Sequence, residues 1–166
     1  MDHRRETGNF LAGAALLAAM LPTLLFVTPA LAQSVAVGGA VAKPLVLSFD
    51  ALKAMPAVTV TVSQATDKGP SEGRFTGALA WSVIQDAGVT DAPGKNAYLR
   101  HVYMVTGADG YAAALSQGEI DPRLEGKQVI LAWSKDGQPL TAPELVVPGD
   151  AHAARGVHDV VGIEVR

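Results

Sequence analysis

The sequence predicts a mixed, β-rich α+β domain, and three observations predict it. Val58 to Ser63 reads Val-Thr-Val-Thr-Val-Ser, the period-2 alternation of a half-buried strand built from β-branched residues. Asp109-Gly110 and Lys135-Asp136-Gly137-Gln138 are turn signals set between extended runs. The helical segments are short, and strands and helices lack the regular spacing of βαβ units.

Residues 1–32 read as a signal peptide and stand apart from the fold. Arg4 and Arg5 make a basic start, Phe10 to Val27 is apolar, and Ala30 and Ala32 are the small residues a signal peptidase requires. An uncleaved anchor is the alternative, because the apolar run is just at spanning length. Pro22 and the Ala-Leu-Ala site favour cleavage after Ala32. Glu6, Thr7 and Gly8 follow the arginine pair where a twin-arginine signal has an apolar pair, which favours unfolded export. The expected location is periplasmic or secreted, with no stable membrane anchor once the signal is removed.

Cleavage leaves 166 − 32 = 134 residues, enough for one domain with its own core. Their charge is 11 − 14 = −3, because the leader holds two basic and two acidic residues. No basic run or aromatic-basic interleaving occurs, so nucleic acid is not an expected partner. The chain has no cysteine, which excludes thiolate metal ligands, a cysteine nucleophile and disulfides.

In chain order, residues 33–44 carry little pattern and read as a flexible lead-in. Leu45 to Ser48 is a short strand, and Ser48 or Asp50 caps a brief helix that ends before Pro56. The Val58–Ser63 strand follows, then a polar loop over Thr66–Gly73. Leu79 to Asp86 fits a short amphipathic helix stopped at Gly88, with Trp81 on its flank as a core aromatic. A hairpin spans Tyr98 to Leu115 around Asp109-Gly110. A helical turn lies between Ser116 and Leu124, with Glu119 and Asp121 read as solvated surface carboxylates. Gln128 to Ser134 is apolar on both faces and reads as a central strand. Leu145–Val147 and Val157–Val165 complete the strands. Tyr111 either packs at its strand start or faces the mouth of a pocket.

Read together, Phe75-Thr76-Gly77 with Trp81, Asp109-Gly110-Tyr111, Lys135-Asp-Gly-Gln-Pro-Leu140 and Val146-Val147-Pro148-Gly149 resemble the molybdopterin-binding domain of sulfite-oxidase-type oxidoreductases. Small exported relatives of that domain match more closely. The resemblance covers Leu45 to Arg166 and implies a compact mixed α/β domain with a mostly β core. It also implies a molybdenum held by a pterin dithiolene and one protein cysteine. Soft thiolate ligation suits that metal. The family cysteine follows the strand that looks like Val58–Ser63, and here the chain continues Ser63-Gln64-Ala65-Thr66. The family places an arginine where this chain has Glu144, and a lysine in the segment Arg155-Gly156-Val157-His158. By resemblance these four residues, Arg155 to His158, are the cofactor-binding positions, with Arg155 able to serve if the alignment slips.

These departures imply a cofactor site that has been lost. The expected function is therefore a non-catalytic binding or interaction module of the cell envelope, without cofactor, that keeps an oxidoreductase-like fold. Its partner is a small-molecule ligand or an envelope redox protein. The alternative is a molybdopterin-dependent oxidoreductase with a non-cysteine metal ligand, Ser63. Two other chemistries find little support. His152, His158 and Asp150 have no recognised metal-ligand spacing, and no Gly-x-Ser-x-Gly elbow exists for a hydrolase.

Overall fold

Two antiparallel-rich sheets, one of five strands and one of four, hold the domain together in a computed structural model that describes residues 33–166. The expected signal peptide lies outside the described residues. Nine strands occur in it: β1 (Ser34–Gly39), β2 (Leu45–Ser48), β3 (Ala57–Thr66), β4 (Gly69–Leu79), β5 (Val102–Gly107), β6 (Ala112–Ser116), β7 (Ile130–Lys135), β8 (Gln138–Val146) and β9 (Val160–Val165). Three short helices interrupt them: α1 (Phe49–Lys53), α2 (Ala80–Asp86) and α3 (Gln117–Ile120). The larger sheet runs β2-β1-β9-β5-β6 and the smaller β3-β4-β7-β8. Only the β1–β9 pair is parallel.

Half of the lead-in expected at residues 33–44 is instead β1, a strand between β2 and β9. Its Ser-Val-Ala-Val-Gly-Gly sequence is itself a period-2 pattern, too short and too rich in small residues to stand out. Val35 and Val37 point into the core and are fully buried, while Ala36 faces out. The loop expected over Thr66–Gly73 shrinks to a tight turn at Asp67-Lys68, because β4 starts at Gly69 and runs back along β3 over ten residue pairs. The strand expected at Leu145–Val147 is the end of the longer β8, which forms a hairpin with β7 through Asp136 and Gly137, both at positive φ. That is the backbone of a primed two-residue turn, and an aspartate followed by glycine accepts it readily.

Other elements form where the sequence places them. Ser48 caps α1, its Oγ accepting from the Ala51 N–H at 3.1 Å. α2 ends at Gly88, φ +67°. The expected Tyr98–Leu115 hairpin starts later, at β5, because Ala97–Arg100 forms a 3-10 turn.

The main core lies where the inner face of the larger sheet (Val35, Val37, Tyr103, Val105, Leu115, Ile163) meets α1, α2 and one face of the smaller sheet (Ala78, Leu131, Leu145). Trp81 packs on its edge as expected. A second cluster of Val60, Val62, Phe75, Ile130, Ala132 and Val146 occupies the opposite face of the smaller sheet. Each large side chain taken fully out of water contributes about 1.5–3 kcal/mol, so the main core supplies most of the driving force. The glycine of Phe75-Thr76-Gly77 has a packing reason. A Cβ there would lie 2.2 Å from the Leu131 carbonyl oxygen, at the bulge where β4 crosses β7.

Candidate functional site

The segment from the end of β8 to the start of β9 carries most of the residues singled out by sequence, and three contacts to its backbone fix its course. Ala65, near the end of β3, donates its N–H to the Ala151 carbonyl at 2.9 Å and bridges His152. The Gln64 side-chain amide donates its Nε2–H to the Val147 carbonyl at 2.9 Å. Leu145 and Val157 form an antiparallel bridge, Leu145 donating to Val157 at 2.8 Å. That bridge sets the neighbouring residues of the two segments opposite each other.

Those neighbours are Glu144 and His158. The His158 Nδ1 lies 3.5 Å from the Glu144 Oε2, and the Glu144 side chain is only 18% exposed while that of His158 is 78% exposed. Burial raises the Glu144 pKa. His158 and Lys135 pull it back down, and Asp159 adds to the rise. A cleft of about 250 Å³ opens here, lined by Leu140, Thr141, Ala142, Glu144, His158 and Asp159. Two positions that the resemblance assigns to cations thus meet in space as an acid and an imidazole.

Arg155 faces elsewhere. Its Nε and Nη2 donate to the two Asp150 carboxylate oxygens at 2.8 and 2.6 Å. Its Nη1 and Nη2 donate to the two Glu119 oxygens at 3.0 and 2.9 Å. Four of the five guanidinium N–H groups are thereby spent on carboxylates. The hydrogen bonds it donates to Asp150 and then Glu119 hold the Arg155 pKa well above its ordinary value. Lys127 completes the cluster with a 2.8 Å bond to Glu119. Burial alone would raise the Glu119 pKa, but the bonds from Arg155 and Lys127 win and lower it. Of the remaining expected positions, Val157 is fully buried in the core and Gly156 closes a 3-10 turn over Ala153–Arg155. Only His158 of the four faces the cleft.

Ser63 is exposed and stands opposite Glu72 in the β3–β4 ladder. Two residues on, at the strand end, lies a cleft of about 400 Å³ lined by Ala65, Thr66, Asp67, Tyr111, His152, Ala153 and Ala154. Tyr111 is exposed at its mouth, and its hydroxyl donates to the Ala154 carbonyl. Of the two readings open for Tyr111, the pocket mouth is the correct one. The set His152, His158 and Asp150 is not gathered, since Asp150 serves Arg155 and His158 faces Glu144. Among the described residues no group of three potential ligands is arranged around a metal position.

Glu119 and Asp121 correct the sequence reading most clearly, because neither is a solvated surface acid. Asp121 is fully buried. It accepts from the Gln117 amide at 2.8 Å, the Arg123 backbone N–H at 2.9 Å and the Arg123 guanidinium at 2.6 Å. Gln117 in turn accepts from the Tyr103 hydroxyl. The signal was Asp121-Pro122-Arg123: an acid that ends a helical turn, with a guanidinium two residues on. His101 is likewise buried, its Nε2 2.8 Å from Asp91 Oδ1.

The sequence profile of the family described as the oxidoreductase molybdopterin binding domain matches residues 27–165, and the chain belongs to that family. Its β-rich fold is the sulfite-oxidase-type fold the sequence predicts. Among solved structures it is similar to the sulfane dehydrogenase SoxCD from Paracoccus pantotrophus, with a TM-score of 0.66 and 19% sequence identity. The similarity covers 80% of this chain and 37% of that one, so the chain spans little more than a third of the length of that relative. No curated protein matches it in sequence.

The donor set can be tested against the group the family binds. At the strand end where the resemblance puts the thiolate, Ser63 offers an exposed hydroxyl, a hard and high-pKa ligand. Where the resemblance puts a cation for the cofactor phosphate stands Glu144, and like charges at close range in a half-buried site repel by a few kcal/mol, on the order of Coulomb energies at intermediate dielectric. Arg155 is already neutralised twice over. These residues do not fit the family cofactor.

Proposed function

We propose that the chain is a non-catalytic binding or interaction module of the cell envelope, built on the molybdopterin-binding-domain fold. The observation that carries this reading is the Glu144–His158 pair, which places an acid and an imidazole where the resemblance puts the family's cations. The exposed Ser63 and the Arg155–Asp150–Glu119 cluster support it. The fold persists because its core depends on none of these groups. What remains for recognition is the cleft beside Tyr111 and His152, which suits a small polar ligand, and the outer surface, which suits an envelope redox partner. The leader-like residues 1–32 support export, and among the described residues no helix is long and apolar enough to cross a membrane.

Elemental analysis of protein purified from a host that makes the molybdenum cofactor tests the reading. The expected molybdenum content is far below one atom per chain, with no pterin fluorescence on denaturation. Stoichiometric molybdenum that disappears in Ser63→Ala would overturn it in favour of an oxidoreductase with a serine ligand.

A further inference from the structure

The two sheets end in four edge strands, and three of them are guarded. β2 has four residues and follows Pro44, and β6 has five residues. β8 contains Pro139 and Pro143, and its pairing with β7 is broken by a register shift. Short length, proline and bulges are the usual devices that stop an edge from recruiting another strand. β3 has none of them. It runs ten residues, Ala57 to Thr66, without a proline or a charged side chain. Among the described residues its free edge is engaged only at Ala65, by the 151–152 segment.

We propose that two copies of this chain pair antiparallel through β3, about a two-fold axis at Val60, to form one continuous eight-stranded sheet. The strand is complementary to itself in that register. Val60 meets Val60 of the second copy, Val58 meets Val62, Thr59 meets Thr61, and Ala57 meets Ser63. Every valine finds a valine, each threonine faces a threonine, and Ala57 and Ser63 are small enough to sit opposite each other. Residues directly opposite in an antiparallel pair share a face, so the valines fall on one side and the threonines on the other. A ladder of seven residues from each copy adds about six to eight backbone hydrogen bonds.

Electrostatics and packing point to the same occupant. An isologous contact doubles whatever charge it carries, and this segment carries none, so a second copy meets no repulsion. On the valine side lies the second hydrophobic cluster, which is not closed at this edge. Val60 and Val62 remain 7% exposed and Val58 is half-buried, whereas the largest residues between the sheets are at 0–2%. Pairing joins that cluster to its counterpart and covers all three valines.

The test uses exposed positions, so the fold is not at stake. Thr59→Lys with Thr61→Lys sets lysine against lysine across the axis, whereas Thr59→Lys with Thr61→Glu sets lysine against glutamate. Both double variants lose the Thr59–Thr76 hydroxyl contact equally, and the leader is common to all forms. Sedimentation velocity of the full chain between about 1 and 300 µM reads the association, and circular dichroism confirms the fold. The wild-type chain is expected to dimerise, the lysine–lysine form to associate at least about tenfold more weakly, and the lysine–glutamate form to recover most of that loss. A wild-type chain that stays monomeric throughout overturns the proposal, even if it captures an extended segment of another protein. So does a lysine–lysine form that associates like wild type, or a lysine–glutamate form as weak as lysine–lysine.

Discussion

Asp121 and Glu144 are both carboxylates taken largely out of water, and the protein treats them in opposite ways. Asp121 sits beneath the larger sheet with an amide, a backbone N–H and a guanidinium around it. Those hydrogen bonds, that of the Arg123 side chain first, outweigh burial and depress its pKa to about 2. Glu144 sits beside the cleft on the smaller sheet, with one imidazole at 3.5 Å, and burial pushes its pKa up. Buried charge is tolerated where it is fully hydrogen-bonded and penalised where it is not. The difference separates a carboxylate built into the scaffold from one left poorly paired at the end where the resemblance places the family cofactor.

The comparison breaks first if the scaffold proves tolerant. Gly77→Ala tests the tightest backbone contact behind a family motif, since the new methyl would meet the Leu131 carbonyl at 2.2 Å and the Ala132 Cα at 2.6 Å. Neither neighbour is a flexible side chain. A loss of about 3 kcal/mol or more is expected, read as a lower urea midpoint at unchanged slope. A loss below about 1 kcal/mol would mean that the β4–β7 bulge is soft and that the motif has no packing origin.

Asp121 comes next. Asp121→Ala strands the buried Gln117 amide and should cost about 2–3 kcal/mol, whereas Arg123 is mostly exposed and returns to water. The pH dependence has a definite sign. A carboxyl whose folded pKa is depressed contributes stability above its unfolded value, here near 3.8, and loses it as pH falls towards about 2. Thermal melts of the wild type and Asp121→Asn should therefore diverge above pH 4 and converge between pH 4 and 2. Parallel curves across that window would show that the charge of Asp121 does not support the fold.

Much of the scaffold was legible in the sequence because its signals are local. Val-Thr-Val-Thr-Val-Ser is a strand by period, Asp136-Gly137 is a turn by φ, and Ser48 is a cap by chemistry. β1 was not legible, because two valines among alanine, serine and glycine become core only when β2 and β9 flank them. The long β4 was missed for a related reason. Its Gly-Pro-Ser-Glu-Gly start is loop-like in composition, and only pairing with β3 makes it a strand. At the site, the sequence shows that a thiol is absent and that an acid stands at Glu144. It does not show that Glu144 faces His158, since that contact depends on the Leu145–Val157 bridge. Nor does it show that Arg155 is saturated, because Glu119 lies thirty-six residues away in the chain.

The smallest expected effect is the sharpest test of the contrast. Glu144→Gln keeps the side chain's shape and removes its charge. A carboxyl with a raised folded pKa destabilises the fold when ionised, and the penalty fades as pH drops through the folded value to the ordinary one near 4.5. His158 and Lys135 offset part of this penalty and Asp159 adds to it, so the net gain is modest. The glutamine form should equal or exceed the wild type by up to about 1 kcal/mol at pH 7, with the gap closing towards pH 4.5. That trend runs opposite to the Asp121→Asn trend, which makes the pair of variants its own control. If glutamine is instead less stable than wild type at pH 7, Glu144 is held by a favourable ion pair with His158. The acid would then be as well housed as Asp121, and the cofactor end would have been rebuilt around a new contact.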